Sequence, residues 1–166
     1  AIATASGKGE ILARAMRGFL DQPGIPLLHT DYACRNGKAT LSVSQSRYLP
    51  VGVLDNDSPV WNVPLCARFG DGKDSATQCF LVNRPKQTFA IAGKCADWYL
   101  PNANAAGYYR FAMADADFAA LARHAAVLVP AEQMIYADAV KSGFRRGDLG
   151  PAVVLDALQA LAGANE

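Results

Sequence analysis

Six short runs of strand composition, parted at nearly every step by turn-forming residues, constrain this chain more than any other feature. They are Ile25–Ala33, Ala39–Leu49, Val60–Phe69, Gln78–Val82, Gln87–Ala92 and Tyr108–Met113, and Asn36-Gly37, Asp55-Asn56-Asp57, Asp71-Gly72 and Arg84-Pro85 bound them. Six or seven short strands at this spacing predict an immunoglobulin-like β-sandwich of about seven strands. Alternation names its buried face, because Trp61, Val63, Leu65, Ala67 and Phe69 fall on one side of their strand. Pro64 cannot donate to a ladder, which predicts an edge strand or a bulge there. Leu41 and Val43 point the same way as Gln45 and Arg47, so a bulge, or a polar contact to a neighbouring element, is expected from Gln45 onward.

On both flanks the period lengthens to that of a helix. Ile11, Leu12, Ala15, Met16 and Phe19 predict an amphipathic helix over Lys8–Leu20, stopped by Asp21-Gln22-Pro23-Gly24. After Asp115 or Asp117, either of which can cap, Phe118, Leu121, Ala122, Ala125 and Leu128 form one stripe. Pro130 opens a second helix that Ser142-Gly143 is expected to end, and Asp148–Pro151 opens a third carrying Val154, Leu155, Leu158 and Leu161. The fold expected is mainly β with α: a lead-in helix over 1–23, a sandwich over 24–114, and a short antiparallel helical segment over 115–166. Two short helices cannot cover the last stripe, so an apolar face is expected to stay bare and to favour self-association unless the lead-in helix shields it.

Composition excludes several functions. Apolar residues make up 51% and charged ones 19% of the chain, which belongs to a folding globular protein. Sixteen Lys and Arg against 15 Asp and Glu provide no general attraction for nucleic acid. No run nears the roughly 20 apolar residues of a membrane span. Ala1-Ile2-Ala3-Thr4 reads as a cut point, with any export signal outside it. Cys34, Cys66, Cys79 and Cys95 are even in number and lack C-x-x-C spacing, which favours two disulfides over four buried thiols, and a periplasmic or secreted protein over a cytoplasmic one. Cys66 and Cys79, flanking the loop 67–78, would staple a hairpin; Cys34 and Cys95, each just past a strand, would form the other bridge.

The residues that carry chemistry do not assemble into a known catalytic pattern. No H-E-x-x-H is present: Thr30 follows His29, Ala125 follows His124, and neither histidine has a second one a helical turn away. No G-x-S-x-G elbow occurs, Gly7-Lys8-Gly9 follows no strand, and Asp71-Gly72-Lys73-Asp74 lacks the alternating oxygen ligands of a calcium loop. Trp98, Tyr99, Tyr108 and Tyr109 suit core or domain packing better than a ligand groove, and a structural hydrogen-bonding role is expected of Arg110. Catalytic and metal-binding residues are expected to be none.

Five segments in order nonetheless point to one family. Gln22-Pro23-Gly24-Ile25-Pro26-Leu27 resembles the Q-x-G-x-P that opens the β-sandwich of aminopeptidase N relatives. Leu41–Tyr48, reading LSVSQSRY, resembles their L-x-L-x-Q-x-R-F; Trp61-Asn62-Val63-Pro64-Leu65 resembles W-x-V-P-L; and Asn104–Phe111, reading NAAGYYRF, resembles N-x-x-G-Y-Y-R-V. Residues 129–143 resemble the helix that in the family reads E-R-x-x-L-x-x-D-A-x-x-L-x-x-G, with Gln133 where many relatives have Arg. The resemblance runs from about Ile11 to Leu161. It implies structural roles for Gly24, Pro26, Gln45, Arg47, Trp61, Pro64, Asn104, Gly107, Tyr109 and Arg110.

The resemblance further implies a non-catalytic spacer of a zinc-dependent, peptide-hydrolysing aminopeptidase. The thermolysin-like catalytic domain would lie upstream and a helical domain downstream as intramolecular partners, and the zinc, the catalytic residues and the peptide substrate would belong to the parent enzyme. The family's G-x-M-E-N loop, H-E-x-x-H helix, third glutamate ligand and catalytic tyrosine have no counterparts here. A free-standing secreted adhesion or carbohydrate-binding sandwich is the alternative, and the trailing helices argue against it. An independent hydrolase lacks a nucleophile, a metal site and a base.

Overall fold

A computed structural model describes residues 9–54, 57, 59–72 and 74–164. Lys8, the start expected for the lead-in helix, lies outside the described residues, as do Ala1–Thr4, Gly7, Asp55, Asn56 and Lys73. The elements are α1 (Gly9–Asp21), β1 (Pro26–Arg35), β2 (Lys38–Arg47), β3 (Val63–Asp71), β4 (Asp74–Val82), β5 (Lys86–Ile91), β6 (Trp98–Leu100), β7 (Arg110–Ala112), α2 (Asp115–Ala122), α3 (Pro130–Arg146) and α4 (Pro151–Gly163). Single 3₁₀ turns stand at Ala103–Ala105 and Ala125–Val127.

The seven strands form two sheets, ordered β5-β2-β1-β7 and β4-β3-β6, so the chain passes between sheets after each hairpin and again after β5 and β6. Asn36 and Gly37, with φ of 52° and 72°, turn β1 into β2 in the left-handed geometry that a two-residue hairpin needs. β7 closes the first sheet by lying parallel to β1, Leu27 opposite Arg110 and His29 opposite Ala112. The expected sandwich face is the core: Trp61, Val63, Leu65, Ala67 and Phe69 are buried with Leu28, Leu41, Val43, Val82 and Phe111.

Cys66 and Cys79 stand directly opposite each other in the β3–β4 ladder, Cα atoms 4.0 Å apart, and are bonded. The second bridge, Cys34–Cys95, ties the end of β1 to the β5–β6 connection across 61 residues. Such bridges fit a secreted or extracellular protein. Among the described residues no helix is long and apolar enough to cross a membrane.

Three local expectations are corrected, and one that left two outcomes open is decided. First, β3 is the central strand of its sheet, not an edge. Pro64 is tolerated because the narrow Cys66–Cys79 pair marks alternate residues of β3 whose N–H groups turn away from β4. On that other side β6 covers only Arg68–Gly70. Second, β2 pairs without a bulge through Arg47; the polar contact is the outcome, since Gln45 accepts from the Trp61 N–H at 2.8 Å and donates to the Trp61 carbonyl at 3.1 Å.

Third, neither Asp115 nor Asp117 is the cap of α2. Ala114 holds that position, Asp117 accepts from the Tyr99 hydroxyl, and the expected stripe breaks at Arg123 although Phe118, Leu121, Ala125 and Leu128 are all buried. Fourth, Ser142-Gly143 do not end α3. Ser142 satisfies its hydroxyl on Ala139, a Cβ on Gly143 would stand 2.7 Å from Leu149, and the stop is Gly147 in a left-handed cap with φ of 79°.

The amide of Gln45 is one of three that stand in for ladder rungs. Gln78 accepts from and donates to Ala92 across the sandwich edge, and Asn102 does the same with Gly107. A primary amide is the side chain that carries both a donor and an acceptor at this reach. On the helical side, Leu155 and Leu158 are 65% and 57% exposed, which leaves that half of the expected apolar stripe on α4 bare, while Val154 and Leu161 pack against the core. The lead-in helix docks elsewhere: Phe19 meets Tyr108 edge to face at 6.0 Å, and Gln22 donates to Val60.

Candidate functional site: the junction of sandwich and helices

Two ion pairs and three buried tyrosines converge where α3 meets the β6–β7 side of the sandwich. Arg68 projects from the outer face of β3, since its alternate neighbours Ala67 and Phe69 fill the core. Its Nη1 donates to Glu132 at 2.5 Å, its Nη2 to the Val127 carbonyl at 3.1 Å and its Nε to Ser75 at 2.9 Å, and the guanidinium lies 5.3 Å from the centre of the Trp98 ring. Gly70 makes room for that indole, because a Cβ there would stand 2.2 Å from it.

Glu132 sits at the third position of α3 and is fully buried. Besides Arg68 it accepts from the Val129 N–H, closing the start of its own helix, and from the Asn104 N–H at 2.9 Å. Asn104 and Ala105 hold φ of 56° and 54°, a conformation that residues bearing a Cβ seldom adopt. One carboxylate therefore fixes a sheet, a helix end and a strained loop. Two turns later Asp138 receives Arg110 of β7 through two hydrogen bonds at 3.0 and 3.1 Å, with the guanidinium 4.1 Å above the Tyr48 ring. Arg110 thereby makes a two-bond contact from β7 to α3.

Three buried tyrosines complete the seam. Tyr109 donates to the Pro101 carbonyl at 2.7 Å and accepts from the Cys66 N–H, filling the place beside β3 where β6 has ended; burial pushes its pKa up. Gly107 must be glycine, as a Cβ would meet the Tyr109 ring at 2.0 Å. Tyr99 reaches the Thr30 carbonyl at 3.2 Å and Asp117 at 3.4 Å, and burial raises its pKa too. Burial likewise raises Asp117, partly offset by the Tyr99 hydrogen bond. Tyr136 donates to the Phe118 carbonyl, and burial pushes it to about 12. A cleft of about 270 Å³ opens nearby, between Thr30 and Met113 of the sandwich side and Phe118, Ala139 and Leu149 of the helices.

Of the residues singled out in the sequence, Asn104, Gly107, Tyr109 and Arg110 come together at this junction. Gln45 and Trp61 pair on the far side, where Gly24, at φ of 99°, lies against the Arg47 side chain and Pro26 begins β1. Pro64 is exposed and joins neither group. Sequence reasoning missed Arg68, Asp138 and Asn102, and met Glu132 only as the glutamate of the helix motif, without its partners. An arginine on a strand whose neighbours are all buried, and a glutamate three residues after a helix cap, were the available signals.

The histidines do not meet. His29 lies on β1 with Ser46 at 3.4 Å, whereas His124 stacks on Trp98 at 5.8 Å and bonds the Ala120 carbonyl. Among the described residues no group of three or more His, Cys, Asp or Glu converges as metal ligands do.

No family model matches the chain. It is similar to a puromycin-sensitive aminopeptidase of Caenorhabditis elegans, 26% identical over 114 residues, which is 68% of this chain and 12% of that protein's length. That likeness supports a relationship to aminopeptidases at the level of the family.

Proposed function

We propose that this chain is the β-sandwich and the first helices of a zinc-dependent aminopeptidase, a non-catalytic spacer that holds a catalytic domain at one end and a helical domain at the other. The observation that carries the reading is the likeness to the aminopeptidase over 114 residues, reaching over most of this chain and little of that protein. The geometry is in keeping with it. Arg68, Glu132, Arg110 and Asp138 bond sandwich to helix through two ion pairs, the arrangement a spacer needs to hold its neighbours in place. On this reading residues 1–23 end the catalytic domain, 24–114 are the spacer and 115–166 begin the helical domain. The zinc, the peptide site and the chemistry reside in the upstream domain, and the parent enzyme works in the periplasm or outside the cell. The bare face of α4 takes the next helix of that protein, and in an isolated chain it favours self-association.

Expression of this chain beside the longer product of the same reading frame tests the proposal. The longer product is expected to retain zinc by metal analysis and to release amine from aminoacyl anilides, while this chain does neither. A reading frame that encodes no H-E-x-x-H ahead of Ala1, or one tightly held zinc per 166-residue chain, overturns it.

A further inference from the structure

The first sheet carries a second polar locus, remote from the seam of Arg68 and Glu132. A pocket of about 300 Å³ is lined by His29 of β1, Ser46 and Arg47 of β2, the loop from Leu49 to Val53, and Arg146 at the end of α3. Its size is at the lower end for small-molecule sites. Among the described residues its wall holds two guanidiniums, an imidazole and a hydroxyl, and no carboxylate. Both guanidiniums are largely withdrawn from solvent, Arg47 18% and Arg146 11% exposed in their side chains.

From these convergent donors we infer that the pocket binds a small oxyanion, a sulfate-, phosphate- or carboxylate-like group, with Arg146 as its principal ligand and Ser46 and His29 completing the cradle. An arginine offers five N–H donors in a planar fork matched to oxyanions, and Asp148 engages one Nη of Arg146 from outside the pocket. Arg146 is itself one of the residues that line the pocket. Arg47, which also pairs with Asp57 at 3.8 Å, adds positive charge to the same wall.

The titration of the neighbours agrees with a site short of negative charge. Burial lowers the pKa of His29, and the cation of Arg146 lowers it further; burial lowers Arg146 itself. An anion seated between them reverses both effects. The other charges around His29 are Asp31 on its own strand, Asp148 after α3 and Lys86 of β5, which line the adjoining hollows. Binding and protonation are therefore coupled: the anion raises the pKa of His29, and the imidazolium form holds the anion more tightly, by the same factor.

The chain has two histidines, so one spectrum contains both the reporter and its control. Imidazole resonances are followed by long-range ¹H–¹⁵N correlation while sodium sulfate, and separately sodium acetate, replaces sodium chloride at constant ionic strength. His29 is expected to shift saturably and its pKa to rise by about one unit, a tenfold coupling, while His124 stays still. Tighter binding of sulfate assigns the site to tetrahedral anions, tighter binding of acetate to carboxylates. Arg146→Gln is expected to abolish the shift and Ser46→Ala to weaken it, with unchanged melting of Ser46→Ala showing that the fold is intact. If His29 responds to sulfate and acetate no more than to chloride, or if His124 moves in parallel, the inference fails.

Discussion

Replacing Glu132 by Gln changes one atom and tests the junction at its centre. In the wild type one carboxylate oxygen accepts from Asn104 N–H and the other from Arg68 and Val129. A glutamine of the same shape keeps a single acceptor. Oriented toward Arg68 it leaves the Asn104 N–H facing another donor, an unsatisfied buried group worth about 1–3 kcal/mol. The lost charge adds to this, but Arg68 is 17% exposed and keeps some hydration, which places the total near the lower bound of about 3 kcal/mol for breaking a buried pair. With a urea slope of about 2 kcal/mol per molar, the midpoint falls by about 1.5 M. Circular dichroism at 222 nm follows the helices, and the fluorescence of Trp61 and Trp98 follows the sandwich. In the variant the helical signal is expected to be lost first. Arg68→Met is expected to cost about as much, and the double variant Arg68→Met/Glu132→Leu at least about 2 kcal/mol less than the sum. Strict additivity, or a midpoint shift under about 0.3 M for Glu132→Gln, refutes the view that this pair joins sandwich to helices.

Four further outcomes are expected. Tyr109→Phe removes the hydroxyl between Cys66 and Pro101 and lowers stability by about 1–3 kcal/mol in thermal melts, whereas Tyr108→Phe, at an exposed position, changes little. Loss of Cys34–Cys95, closing 61 residues, costs more than loss of Cys66–Cys79, closing 13, about 4 against about 3 kcal/mol on chain entropy, and paired Cys→Ala variants measure the order. Because His29 is held below its ordinary 6.5 by burial and by Arg146, the unfolded chain takes up its proton first as pH falls. Stability thus drops between pH 6.5 and the lower folded value, and His29→Gln flattens that slope in urea midpoints measured from pH 7.5 to 5. Leu155→Glu with Leu158→Glu is expected to leave the dichroism unchanged and to reduce any dimer seen in sedimentation, and unaltered self-association would exclude the α4 face as its cause.

The sandwich was legible because its signals are local. Alternation from Trp61 to Phe69, the Asn36-Gly37 turn and the cysteine spacing each state a geometry within a few residues of themselves. β6 was not, since Trp98–Leu100 is too short to show a period and is a strand only because Arg68–Gly70 pair with it. Helix ends were misjudged where tertiary contacts overrode local preference. Gly143 reads as a stop but is a point of close approach for Leu149, and Asp117 reads as a cap but is engaged by Tyr99. The junction was the least legible part, because Arg68 and Glu132 lie 64 positions apart and neither residue type implies the other. The resemblance marked Asn104, Gly107, Tyr109 and Arg110 and included a glutamate ahead of Gln133, but it did not say that this carboxylate holds Asn104 or that Asp138 holds Arg110.

The three amide rungs also set how the protein ages. Hydrolysis of a side-chain amide yields a carboxylate, which accepts twice and donates nothing, so at Gln45, Gln78 or Asn102 the carbonyl of Trp61, Ala92 or Gly107 would face an anion instead of a donor. Two of these sites use glutamine, the slower of the two amides to deamidate, and Asn102 is followed by Ala103, not by the glycine that most hastens the reaction. The one Asn-Gly pair, Asn36-Gly37, sits on an exposed hairpin tip where no side-chain rung depends on it. Deamidation at that tip is therefore expected to leave the three amide rungs intact.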